Sequence, residues 1–322
     1  MLLNVEQNSF ELKQKFTISR GSRNSAEVLT VSISDSGFIG LGECVPYKRY
    51  GENIKSVSDE ILSISLPINN QSLQKILKPG AARNAIDCAL WDLKAKKEGK
   101  PVWQLLNLKK PKPTITTYTI SLSNPTKMMK EAKSKSDYPI LKIKLGGKND
   151  EQCIKAVREG SPSSRIIVDA NEGWNIDSYN YLVPIFKNIG VEMIEQPFPS
   201  NKDYLLKNLD RKIPICADES CHDVKSLKKL IGLYDFINIK LDKTGGLTEA
   251  INLLEAAKES GFKIMLGCMV GTSLAMAPAF LLSGACDIVD LDGPLLLKND
   301  RTNPIRYENS LAFPISEGLW GV

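Results

Sequence analysis

Along the last two-thirds of the chain, short runs of β-branched and aliphatic residues alternate with segments of helical spacing. The runs are ITTYTISL (115–122), ILKIKL (140–145), RIIVDAN (165–171), VEMIEQPF (191–198), PICADES (214–220), DFINIKL (235–241), KIMLGCM (263–269) and DIVDLDG (287–293). Their starts lie 21 to 28 residues apart. Between them, DEQCIKAVREG (150–160) and LTEAINLLEAAKESG (247–261) repeat apolar residues three and four apart, the helical period. Eight strands alternating with helices predict a parallel α/β barrel of the TIM type. No helical pattern follows the eighth run, in PLLLKNDRTNPIRYENS (294–310), so the expected form is a modified TIM barrel, (β/α)7β, over residues 113–299. A doubly wound open sheet is the alternative, but no GxGxxG turn follows any strand.

Residues 1–112 have a different pattern. AEVLTVSI (26–33) and GFIGLGECVPY (37–47) alternate with period two around the turn SDSG, which predicts a hairpin. In ARNAIDCALWDLKAKKEG (82–99), Ala85, Ile86, Ala89, Leu90 and Leu93 form one apolar stripe of a helix that Gly99 closes. Trp91 sits off that stripe and is expected to pack between domains. This part reads as an α+β unit set before the barrel. The strand-like C-terminal LAFPISEGLWGV (311–322) is expected to return to it, so that 300–322 joins 1–112.

Composition adds exclusions. With 42% hydrophobic and 25% charged residues the chain is of ordinary globular type, and no run of about 18 apolar residues predicts a membrane span. The first residues contain too short an apolar run for a signal peptide. The seven cysteines make no CxxC pair and lie mostly in apolar surroundings, which fits reduced core thiols and a cytoplasmic location. A net charge of +5 with scattered lysines gives no footprint for nucleic acid. The single histidine, His222, removes Ser–His–Asp hydrolysis and multi-histidine zinc sites together. His222 itself reads as a surface residue in a first helical turn, and KTGG (243–246) as a tight turn into a helix.

The polar residues inside the predicted strands carry the chemistry. In such a barrel, sites sit at the C-terminal strand ends. Those ends offer Lys142 and Lys144 on the second strand, Asp169 and Asn171 on the third, and Glu195 on the fourth. Asp218 and Glu219 end the fifth, Lys240 the sixth, and Asp290 and Asp292 the eighth. Side chains two apart share a face, so Lys142 and Lys144 point together, as do Asp290 and Asp292. A lone charge at a strand end is usually a solvated loop residue. Three successive strands that each bring a carboxylate repel one another unless a cation lies among them. An all-oxygen set favours Mg²⁺, with Mn²⁺ as a substitute, over Zn²⁺. Lysines on strands two and six face each other across the mouth, with that carboxylate arc between them. Desolvation there suits Lys144 to act as a base.

The ordered set KIK (142–144), DAN (169–171), EQP (195–197), ADES (217–220), IKLDKTGG (239–246) and DLDGP (290–294) resembles the muconate-lactonizing subgroup of the enolase superfamily. Within it, the chain is most similar to dipeptide epimerases of the L-Ala-D/L-Glu type, and DLD is the feature that resembles them. ISRGSR (18–23), GECVPYKRYGE (42–52) and RNAIDCALWDL (83–93) resemble the family's capping domain. The resemblance implies that Asp169, Glu195 and Asp218 hold Mg²⁺ against the substrate's α-carboxylate, and that Lys144 and Lys240 exchange the α-proton through a metal-stabilised enediolate. It implies that Lys142 touches that carboxylate, and that Thr119, Cys268, Met269, Val270, Asp290 and Asp292 line the dipeptide. Asn171 and Glu219 would support the metal ligands. Arg20 or Arg23 would face a glutamyl side chain. A lyase of the same subgroup, o-succinylbenzoate synthase-like or muconate cycloisomerase-like, is the alternative. Murein peptide metabolism is the implied context, with a small-molecule substrate, no nucleic acid or membrane partner, and the homo-oligomeric state left open.

Overall fold

A computed structural model describes residues 1–315 and 318–321. The chain opens with an antiparallel sheet of β1 (Leu2–Ile18), β2 (Gly21–Asp35) and β3 (Phe38–Cys44), in that order. The predicted hairpin is β2 and β3. The long β1 was not anticipated, and its burial explains why: only Leu12 and Phe16 of its 17 residues are fully buried, so it has almost no apolar alternation to read. Its register with β2 breaks between Glu11 and Phe16, where Leu12–Lys15 bulge out and Leu12 bridges to Leu297.

Two short helices, α1 (Ile54–Leu62) and α2 (Asn70–Ile76), lead to α3 (Ala81–Glu98), which ends at a left-handed Gly99 as expected. Helix α3 lies unusually close to β3. A Cβ at Gly40 or Gly42 would stand 2.1 Å from a carbonyl oxygen of α3, so only glycine fits either position. Burial runs nearly all round α3 rather than along one stripe, because its other side meets the barrel. There Arg83 donates to the carbonyls of Thr244 (2.6 Å) and Gly245 (3.1 Å), and the Trp91 indole to Thr248 Oγ1 (2.9 Å).

After α4 (Val102–Leu105) and the two-residue β4 (Thr114–Ile115), the barrel begins. Its order is β5 (Tyr118–Ile120), α5 (Pro125–Ser134), β6 (Ile140–Lys144), α6 (Asp150–Gly160), β7 (Arg165–Asp169), α7 (Ile176–Ile189) and β8 (Val191–Glu195). A 3₁₀ run over Ser200–Asn208 stands where the fourth helix was expected, then β9 (Ile215–Ala217), α8 (Val224–Leu230), β10 (Phe236–Ile239) and the single turn α9 (Leu241–Thr244). The last members are α10 (Leu247–Glu259), β11 (Lys263–Leu266), α11 (Ser273–Phe280) and β12 (Ile288–Val289). The eight strands form one sheet in sequence order, each pair parallel. The Thr117 N–H donates to the Val289 carbonyl at 2.9 Å and links the first strand to the last. No α-helix follows β12 among the described residues, as the (β/α)7β pattern requires.

The C-terminal segment is strand-like only briefly. β13 (Tyr307–Glu308) pairs with β14 (Leu311–Ala312), which pairs with β4, and the chain then meets α3 through Trp320 Nε1 to the Cys88 carbonyl (3.1 Å) and the Gly321 N–H to Asp92 (2.6 Å). The expected strand character at 316, 317 and 322 lies outside the described residues. Among the described residues, no helix is long and apolar enough to cross a membrane.

Candidate active site

Alternation along each barrel strand sorts the side chains. Leu141, Ile143, Ile166, Val168, Ile194, Ile237 and Ile239 belong to the main core beneath the surrounding helices. Ile140, Ile167, Met193, Cys216, Phe236, Met265 and Ile288 form a separate apolar plug, one residue from each of seven strands. Two positions further along the same strands come Lys142, Asp169, Glu195, Asp218, Asn238 and Asp290, all buried. Period two therefore puts a polar layer on top of an apolar floor.

Strand register then aligns the chemistry. Lys144 on β6 pairs with Asp169 on β7, which pairs with Glu195 on β8. Oxygens of Asp169, Glu195 and Asp218 all lie within 4.8 Å of one another. Lys144 Nζ is 2.6 Å from Asp169 Oδ2, and Lys240 Nζ is 2.6 Å from Asp218 Oδ2, so the two lysines flank the acidic cluster from opposite ends. Lys142, on β6, places its Nζ between Glu195 of β8 and Asp290 just past β12, 2.7 Å from Glu195 Oε2 and 2.8 Å from Asp290 Oδ2. Burial alone would raise the Asp169 and Asp218 carboxyls, but the surrounding ammonium groups hold both below the usual range, Asp218 well below. Glu195 stays raised, by burial and then by Asp169.

The all-oxygen donor set fits a hard divalent cation. Glu195 Oε2 supports that fit, since it is buried and accepts no hydrogen bond despite its ionic contact with Lys142.

Above this layer lies a cavity lined by Thr119, Lys142, Lys144, Asn171, Asp218, Glu219, Lys240, Cys268, Met269, Val270, Asp290, Asp292 and Leu296, with Phe16, Ile18, Arg20, Arg23, Tyr47 and Tyr50 from the N-terminal unit. The substrate-lining positions drawn from the resemblance thus converge. Asp169 and Glu195 lie beneath them, fully buried.

Two expected pairs separate. Asp290 and Asp292 share a face and were expected to line the dipeptide together. Instead Asp290 is engaged by Lys142 and by the Thr117 hydroxyl, and Lys142 brings its carboxyl down despite burial. Asp292 has no cationic partner among the described residues; it accepts the Thr119 N–H at 2.6 Å, and burial with Asp290 nearby pushes its carboxyl up to about 7. Of the two arginines, Arg20 is spent on Glu219 (2.6 Å), the Asn171 carbonyl (2.6 Å) and Glu172 (3.1 Å). Arg23 faces the cavity without a carboxylate partner among the described residues, and burial lowers its proton affinity.

Three residues escaped the sequence reading. Asn238 Nδ2 donates to Glu195 Oε1 at 2.7 Å; it stands two before Lys240, so the same-face rule applied to FINIK would have found it. Lys243, inside the KTGG turn, is buried with its Nζ 2.7 Å from Asp218 Oδ1 and 2.8 Å from the Asn238 carbonyl. Only the one-turn α9 brings it back under β9, and no strand period signals that. Tyr50 packs edge-on against His222, ring centroids 4.7 Å apart. His222 is accordingly half-buried rather than on the surface, with Nε2 3.0 Å from the Glu219 carbonyl.

A lysine on each side of a carboxylate cluster, at the mouth of a barrel covered by a second unit, defines a class of acid–base enzymes that work beside a metal. Residues 3–107 match the mandelate racemase / muconate lactonizing enzyme N-terminal domain, and 127–319 match the enolase C-terminal domain-like family. The chain belongs to this family of the enolase superfamily. An L-Ala-D/L-Glu epimerase of Escherichia coli (strain K12) is 41% identical over 302 residues, 92% of this chain and 94% of that protein. An N-acetyl-D-glutamate racemase of Pseudoalteromonas sp is 42% identical over 300 residues, 91% of this chain and 95% of that protein. A crystal structure from Agrobacterium tumefaciens, an enolase family member with homology to dipeptide epimerases that holds sodium and L-Ala-L-Glu, superposes with a TM-score of 0.97, 48% identity and 99% coverage of both chains.

The acidic cluster generates a test. Glu195→Gln removes one of the three clustered carboxylate charges while keeping shape, and should weaken Mn²⁺ binding by about tenfold or more in a calorimetric titration, since even groups that only support a ligand are worth 10–100-fold. Unchanged affinity, in a variant of native circular dichroism, would put the cation elsewhere.

Proposed function

We propose that this chain is a Mg²⁺-dependent dipeptide epimerase that inverts the α-carbon of the C-terminal residue in L-Ala-D/L-Glu-like dipeptides. The observation that carries this reading is the opposed pair Lys144 and Lys240, one bonded to Asp169 and the other to Asp218. A cation held by Asp169, Glu195 and Asp218 supplies positive charge to an α-carboxylate whose neighbouring proton must leave. Lys144 as free amine takes the proton from one face of the α-carbon, and the C–H electron pair delocalises into the carboxylate. Lys240 as ammonium delivers a proton to the other face. The reverse direction exchanges their roles. Lys142, fixed between Glu195 and Asp290, keeps its positive charge beside the carboxylate. A lyase of the subgroup needs no such second proton donor. The seven unpaired cysteines support a reducing, cytoplasmic setting.

Two unpaired charges support the choice of substrate. Arg23 suits the side-chain carboxylate of a glutamyl residue, and Asp292 suits the free ammonium of the preceding residue. N-acylglutamate racemisation is the second reading, favoured by the 42% identical racemase. It uses Arg23 equally and leaves Asp292 facing an acyl group.

Three outcomes are expected. Lys144→Ala and Lys240→Ala should each abolish epimerisation, and each should retain α-hydrogen exchange with D₂O for one stereoisomer only, opposite isomers for the two. Epimerisation at full rate by either variant removes that lysine from the mechanism. Arg23→Met should lower kcat/KM for L-Ala-L-Glu by about tenfold or more relative to L-Ala-L-Leu, as a lost charged hydrogen bond costs roughly 1.5–3 kcal/mol. An equal loss on both would give Arg23 a structural role. Acetylating the dipeptide amine should cost at least about tenfold in kcat/KM by the same arithmetic, and Asp292→Asn should narrow that gap more than Asp290→Asn. Faster racemisation of N-acetylglutamate than of L-Ala-L-Glu would select the second reading.

A further inference from the structure

Arg20 and Arg23 stand three apart on one hairpin, yet their surroundings give them different work. The register break at Glu11 and Phe16 separates the end of that hairpin from the body of its sheet. Beyond the break only three pairs remain, Phe16 with Arg23, Thr17 with Ser22 and Ile18 with Gly21. A two-stranded ribbon of that length has little stability of its own. Its position is therefore set by what holds it to the barrel.

The tip is held by the barrel. Ser19 Oγ donates to the Asn171 carbonyl at 2.8 Å, and Arg20 Nη1 donates to the same carbonyl at 2.6 Å. Arg20 Nη2 reaches Glu219 Oε1 at 2.6 Å and the Tyr47 hydroxyl at 3.2 Å. Ser19 enters a notch made by two glycines: a Cβ on Gly146 would stand 2.7 Å from Ser19 Cβ, and one on Gly173 3.2 Å away. Further back, the Leu122 N–H donates to the Thr17 carbonyl at 3.0 Å. Arg23 lies one pair further from the tip than Thr17, opposite Phe16, with its guanidinium 5.8 Å from that ring.

We propose that Arg20 is a positioning residue whose anchoring of the ribbon tip aims Arg23 into the cavity, so that Arg20 sets the preference for an acidic second residue through Arg23, its own charge being engaged by Glu219. This rests on the reading of Arg23 as the partner of the acidic side chain. Charge-assisted bonds to a buried carboxylate and a carbonyl fix the ribbon before substrate arrives. The ordering of Arg23 then costs less at the moment of binding. Without the anchor, the three-pair ribbon samples other positions, and Arg23 meets the substrate carboxylate only part of the time.

The test is a double-mutant cycle on the full-length enzyme with Mg²⁺, read on L-Ala-L-Glu and on L-Ala-L-Leu. Arg20→Met should raise KM for L-Ala-L-Glu at least about fivefold more than for L-Ala-L-Leu. In an Arg23→Met background that selective effect should vanish, because residues acting through one contact are not additive. Amide exchange over 18–24 should quicken in Arg20→Met. Should that variant fold poorly, Ser19→Ala removes one bond of the same anchor and should show a smaller loss with the same selectivity. Equal losses on the two dipeptides, or a selective loss that persists without Arg23, overturns the proposal. If Arg23→Met proves unselective while Arg20→Met is selective, the reading of Arg23 fails instead.

Discussion

The constraint on which this molecule depends is charge balance in a place water barely reaches. Six carboxylates (Asp169, Glu195, Asp218, Glu219, Asp290, Asp292) and four lysines (Lys142, Lys144, Lys240, Lys243) are buried at one end of the barrel. Each ion loses several kcal/mol of hydration there, and only close opposite charges and hydrogen bonds offset it. The observed pairs do so at 2.6–2.8 Å: Lys144 with Asp169, Lys240 and Lys243 with Asp218, Lys142 with Glu195 and Asp290. Removing any of these paired charges would leave a buried partner short of a counter-ion. The site and the stability of the barrel mouth are therefore one problem.

Parallel register makes the solution reachable. Because the residues at the ends of β6, β7 and β8 are direct neighbours in the ladder, Lys144, Asp169 and Glu195 arrive side by side without any loop having to place them. The apolar plug below keeps the floor dry, which strengthens every electrostatic contact above it. The roof comes from the N-terminal unit, held to the barrel by α3 through Arg83, Asp87 and Trp91.

How much of this the sequence disclosed follows from where each signal is local. Barrel strands are fully buried or period-two segments, so their runs were legible, and Asp169, Glu195, Asp218, Lys144 and Lys240 were legible as polar breaks in them. Strand β1 was not, since its stability comes from pairing along β2 rather than from an apolar face. Lys243 was hidden because it returns to Asp218 from a helical turn, and the partition of Asp290 from Asp292 because it depends on Lys142, about 150 positions away in the chain (148 to Asp290). Spacing reveals which side chains share a face. It does not reveal which of them already has a partner.

That distinction bears on how the two doublets RGSR and DLD relate to function. Each offers two like charges, and in each the protein neutralises one: Arg20 by Glu219, Asp290 by Lys142. A buried or half-buried charge left without a counter-ion is costly, so a fold keeps few of them. The survivors, Arg23 and Asp292, have opposite signs and face one cavity. A ligand that satisfies both must carry an anion toward Arg23 and a cation toward the end of β12, with a carboxylate between them at the acidic cluster. A free dipeptide ending in an acidic residue has that order of charges. An N-acylated acid supplies only the anions, and a hydrophobic dipeptide leaves Arg23 unanswered. The neutralised member of each doublet is thus as informative as the free one, because it removes a charge that the substrate would otherwise have had to meet.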